Sequence, residues 1–126
     1  MTENIYYQSP EDAAEYNIIR DDTYKILQTL ADLALGKGVR NVQSDRLTKT
    51  EIRYFTRKIH EQSILLPDSL KNLFQRVLNF RFQKSSEWTQ KELARRGLSD
   101  DTKNHMFFNK VLEKSFHLLY PGEKKR

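Results

Sequence analysis

Residues 47–66, LTKTEIRYFTRKIHEQSILL, define a helix start and an inward face more sharply than any other stretch of the chain. Thr48 and Glu51 have capping-box spacing: the threonine hydroxyl can accept from the amide of Glu51, and the glutamate can accept from the amide of Thr48. Leu47 and Ile52 stand one before the cap and at the fourth helical position, where a hydrophobic staple sits. Behind them Ile52, Phe55, Ile59 and Leu66 recur at helical steps and share a face. Lys49, Arg53 and Arg57, four apart, fall on a different face, with His60 three residues further on. One helix therefore offers an apolar stripe to a core and a cationic ridge to a partner.

The rest of the chain is read in the same period. Ser9-Pro10-Glu11-Asp12 has cap, first-turn proline and first-turn acids in order. Asp21-Asp22-Thr23 is a candidate interruption or second cap, and Ile26, Leu27, Leu30, Leu33 and Ala34 form a core stripe. Gly36 is placed as a left-handed cap. Residues 37–46 follow as a long polar loop, free to move or to bind. After Pro67-Asp68-Ser69, the apolar positions Leu70, Leu73, Phe74, Val77 and Leu78 are spaced as a buried stripe, broadened by Phe80 and Phe82. Lys84-Ser85-Ser86 is a candidate break before a further helical stretch anchored by Trp88 and closed by Gly97. Ser99-Asp100-Asp101 opens the last helix, whose stripe is Met106, Phe107, Val111, Leu112, Phe116 and Leu119, and Pro121-Gly122 ends it. Only four glycines and three prolines interrupt 126 residues. These long periodic segments predict an all-α protein, a compact bundle of four to five helices. It is read as a single domain, 1–126, with residues 1–8 and 121–126 flexible.

Charge narrows the function. The formal net charge is +5, but residues 1–35 carry seven acids and two bases while the remainder carries twenty bases and ten acids. A basic body suggests a polyanionic partner; a lysine-rich solvated surface is the plainer reading. The absence of cysteine excludes disulfides and thiol chemistry. No apolar run approaches the roughly 20 residues that span a bilayer, and the N-terminal residues lack the pattern of a secretory signal. A cytoplasmic protein without membrane contact is expected.

No catalytic, metal or cofactor residue is assigned. The three histidines lack metal-ligand spacing. Gly36-Lys37-Gly38 lacks the strand and the following Ser/Thr of a phosphate loop. The acidic pairs Asp21-Asp22 and Asp100-Asp101 sit where helix dipoles favour them. The candidate site is instead cationic: Lys49, Arg53 and Arg57 along about 12 Å of helix, and Arg76, Arg81 and Lys84, interleaved with Phe80 and Phe82. Such spacing can meet successive phosphates. The alternatives are an Arg57–Glu61 surface pair and core roles for the two phenylalanines. A third group, Lys91, Arg95 and Arg96, lies where cations relieve a helix dipole.

Two segments resemble one family. LTKTEIRYF at 47–55 is similar to the Leu-Thr-Thr, polar, Ile/Leu-Arg, aromatic segment that opens a helix in the small helical subunit of type III-A CRISPR effector complexes. FHLLYPGEKK at 116–125 resembles that subunit's C-terminal signature, an aromatic-His-x-aromatic-aromatic run followed by glycines. Leu119 and Pro121 depart from it, and the family's Tyr-x-x-Gly-Arg element has no counterpart in LNFRFQKSSEW. The resemblance implies a non-catalytic protein whose copies stack on themselves within a ribonucleoprotein. There it would contact other protein subunits and line the RNA channel with basic side chains. Arg53 is the residue the motif matches; Lys49 and Arg57 come from the ridge geometry. Binding through phosphates would be independent of RNA sequence. Two other readings are an adaptor, inhibitor or regulatory module that sets its basic face on an acidic protein, and a helix-turn-helix DNA binder.

Overall fold

The computed structural model describes residues 10–123. The Ser9 cap, residues 1–8 and the basic tail at 124–126 lie outside the described residues. Four helices account for the fold: α1 (Pro10–Leu35), α2 (Lys49–Glu61), α3 (Asp68–Arg95) and α4 (Asp100–Leu119), with no strand among the described residues.

Neither candidate break interrupts its helix. Asp21-Asp22-Thr23 stays helical because its polar groups find partners on the spot. The Thr23 hydroxyl donates to the Ile19 carbonyl at 2.7 Å, and the buried Asp22 carboxylate accepts from Arg76 Nε of α3 at 2.8 Å. At Lys84-Ser85-Ser86, Ser85 is buried on the inner face, where its small side chain keeps the helix packed. The predicted stops do hold. Gly36 at φ 108° and Gly97 at φ 92° take the left-handed conformation that ends α1 and α3. Ser99 then caps α4, its side chain accepting from the Thr102 amide at 3.2 Å. Trp88 ties the end of α3 to this cap, its indole N–H donating to the Thr102 hydroxyl.

The helices pack around a square. α1 and α4 each pack on α2 and on α3, while across the diagonals α1–α4 and α2–α3 the backbones stay apart. The core lies on the common axis: Ile26, Leu30, Ile52, Ile59, Leu70, Phe74 and Leu112 are fully buried. Burial at this level makes truncation of one such leucine or isoleucine cost about 2–5 kcal/mol. Phe74, Phe116 and Tyr120 form an aromatic cluster with centroids 5.5 Å apart for the first two and 5.2 Å for the last two. The apolar part of the FHLLYPGEKK segment thus serves packing. Beyond it, residues 121–123 turn back rather than trail away. The Glu123 amide donates to the Tyr120 carbonyl at 3.1 Å, and Lys71 pairs with the Glu123 carboxylate.

The loop before α2 is a strap, not a mobile segment. Gln28 of α1 holds it from both sides, donating to the Arg40 carbonyl at 2.7 Å and accepting from the Val42 amide at 3.0 Å. Val42 is buried beneath. Arg40 donates to both Glu51 oxygens, at 2.6 and 3.2 Å, and to the carbonyls of Asp45 and Arg46. Glu51 also completes the capping box. Its Oε1 accepts from the Thr48 amide at 2.9 Å, and its own amide donates to the Thr48 hydroxyl at 3.0 Å.

The hydrogen bond from Arg40, then that from the Thr48 amide, hold the Glu51 carboxyl down to about 2, against an ordinary 4.5. The unfolded chain therefore takes up this proton first as pH falls. Stability from Glu51 is complete above about pH 4.5 and is lost as the pH drops toward 2. Urea unfolding from pH 6 to 2 should show this loss, with a flatter acid limb in Glu51→Gln. Thr48→Ala should cost about 1 kcal/mol at neutral pH.

Candidate nucleic-acid interface

The capping box fixes where α2 begins and burial of its inner face fixes its rotation. With Ile52, Phe55, Thr56 and Ile59 buried, Arg53 and Arg57 must face solvent, and both are exposed, with Lys49 half-buried in line with them. Thr56 locks the phase from inside, its hydroxyl lying 3.1 Å from that of Ser115 on α4. Among the described residues, none of the three cations is engaged by a carboxylate, and the Arg57–Glu61 pair does not form.

α4 adds a residue that the periodicity assigns to the core. Phe107 is 50% exposed, and its ring lies 5.2 Å from Lys49 Nζ and 5.4 Å from the Arg53 guanidinium carbon. Met106, also exposed, turns toward α3, where its sulfur accepts from the Thr89 hydroxyl at 3.8 Å. The buried stripe of α4 runs instead through Thr102, Asn109, Val111, Leu112, Ser115 and Phe116, which leaves Phe107 at its margin toward α2. Cation–π attraction at such an exposed site is worth about 0.5–1 kcal/mol. It holds two flexible cations over one aromatic face. Tyr54, 57% exposed, adds a second aromatic surface on α2.

The second cationic group does not join this surface, so the six candidate residues fall in two separate places. Arg76, Arg81 and Lys84 lie on α3, diagonal to α2, and each has a structural partner. Arg76 neutralises the buried Asp22. Arg81 is itself buried, at 7% exposure. Its Nε donates to Asn109 Oδ1 at 2.7 Å and its guanidinium carbon lies 4.8 Å from the Phe108 ring. Lys84 reaches Asp12 at 3.5 Å and Glu87 at 3.8 Å. Phe80 is buried, and Phe82 is half-buried with Lys110 Nζ 5.6 Å from its ring. The two phenylalanines are packing residues, as their helical spacing suggests. Lys91, Arg95 and Arg96 are exposed at the end of α3.

Among the described residues, no group of three potential ligands could hold a metal ion, and no helix is long and apolar enough to cross a membrane. Burial, and then the nearby Arg81, lower the affinity of His105 for a proton, with Asp101 opposing them. The backbones of α2 and α3 do not come close together as the two helices of a helix-turn-helix would. Comparison with protein-family models, curated proteins and solved structures finds no match for this chain.

The two cationic groups should separate by mutation. Asn109→Ala removes the acceptor of the buried Arg81 Nε and should lower stability by about 1.5–3 kcal/mol. Arg53→Ala should change it by less than about 0.5 kcal/mol. Urea midpoints at neutral pH report both.

Proposed function

We propose that this protein is a non-catalytic RNA-binding subunit that grips the RNA backbone through Lys49, Arg53 and Arg57. The observation that carries the reading is the line of cations along α2 with no carboxylate partner among the described residues, set against the half-exposed Phe107 ring. Phosphates supply the missing negative charge, and the ridge carries no pattern that distinguishes bases. Phe107 and Tyr54 offer faces on which an unpaired base can stack, which favours a single strand over a duplex.

The resemblance of residues 47–55 and 116–125 to the small subunit of type III-A CRISPR effector complexes supports placing it in a ribonucleoprotein assembly. In that reading it is a cytoplasmic antiviral-defence component with further protein subunits as neighbours and copies of itself stacked alongside. The exposed aromatic side chains of Tyr54, on α2, and Phe107, beside the ridge, favour one alternative, a protein-interaction module that meets an acidic partner.

Fluorescence anisotropy with a single-stranded RNA of about 30 nucleotides separates the two. Three phosphate contacts predict a log–log salt slope of about −2. Replacing Lys49, Arg53 and Arg57 together by alanine should remove most of the binding and flatten the slope. Unchanged binding in that variant would overturn the site. Absence of RNA binding together with co-purification of an acidic protein would support the interaction module.

A further inference from the structure

α2 is 13 residues long, against 26 for α1, 28 for α3 and 20 for α4. At 1.5 Å per residue it covers about 20 Å of a bundle about 40 Å long. Where α2 is missing, α1 and α4 face each other across the diagonal with their backbones apart. A cleft of about 380 Å³ occupies this gap, within the roughly 300–1,000 Å³ of small-molecule sites. Its floor includes buried Thr23, Leu27 and Leu47, and exposed Arg20 and Arg46 stand at its rim.

The chemistry of the wall is specific. Arg20, Arg46 and Arg81 come to it from α1, the strap and α3, while Asp101 is its one carboxylate among the described lining residues. Arg81 is anchored through Nε by Asn109, so its guanidinium is held in place rather than left to wander. Arg46 is exposed and has no ion-pair partner among the described residues. Tyr16, Tyr24 and Phe108 supply flat apolar faces in the same cleft. Guanidinium groups suit a phosphate, because their donors match its oxygens in pairs. Aromatic faces suit a planar heterocycle.

We propose that this cleft binds a nucleoside monophosphate, with the phosphate among Arg20, Arg46 and Arg81 and the base against Tyr16, Tyr24 or Phe108. The site is separate from the α2 ridge and does not depend on it. It gives the buried Arg81 a role that the RNA surface does not.

Isothermal titration calorimetry of the full chain with AMP and with UMP tests it. One-to-one binding is expected, weakened at least about tenfold in Arg46→Glu, whose rim position leaves the core intact. Adenosine and inorganic phosphate should each bind at least about tenfold more weakly than AMP, since each offers half of the contacts. Tyr24→Phe, which keeps the ring, should retain binding. Binding should also survive in the Lys49, Arg53 and Arg57 triple-alanine variant, even if that variant loses RNA. No heat with either nucleotide at about millimolar concentration would overturn the proposal. So would equal affinity in Arg46→Glu, loss of nucleotide binding in the ridge variant, or phosphate binding as tight as AMP.

Discussion

The Glu51 carboxylate stands at the point where loop, helix and surface meet. Its bond to the Thr48 amide starts α2, and its two bonds to Arg40 hold the strap that delivers α2 to the bundle. A helix of 13 residues is too short to be stable alone, so its position is supplied from outside, by this node at one end and by burial of Ile52, Phe55 and Ile59 along its length. Once start and phase are set, the direction of every exposed side chain on α2 follows. The ridge is therefore a consequence of capping and core packing, and its cations are held on a rigid element rather than on a loop.

What could be read from the sequence was whatever depends on near neighbours. The capping box, the glycine stops and the α2 stripe from Ile52 through Phe55 to Ile59 are patterns within about eight residues, and all of them appear in the fold; Leu66, read on the same stripe, falls beyond the end of α2 at Glu61. The pairings that override local signals span the chain. Asp22 looks like a helix breaker until Arg76 arrives from 54 residues away. Arg81 looks like a surface cation until Asn109, 28 residues on, takes it inside. Phe107 is apolar and near the stripe, so periodicity assigns it to the core. Only the position of α2 shows that it belongs beneath Lys49 and Arg53. The loop at 37–46 is polar throughout except Val39 and Val42, and nothing local shows that Gln28 and Arg40 pin it.

The length of α2 has two effects on the surface. Where it is present, it turns outward a cationic face bordered by aromatic rings. Where it is absent, the diagonal between α1 and α4 stays open and three arginines meet around a cleft. The positive charge of the body thus includes three different settings: a ridge with no carboxylate partner among the described residues, a lined cleft, and pairs such as Arg76–Asp22 and Lys84–Asp12 that hold helices together. Net charge alone does not distinguish these settings, since each arginine or lysine contributes equally to the total.

The most direct test of the central claim is a map of where RNA touches the protein. Backbone amide ¹H–¹⁵N spectra recorded while a short single-stranded RNA is added should show shifts concentrated at Lys49, Arg53, Arg57 and Phe107. Arg76 and Lys84 on α3 should stay in place. Shifts centred on α3, or spread evenly over the basic surface, would contradict the account.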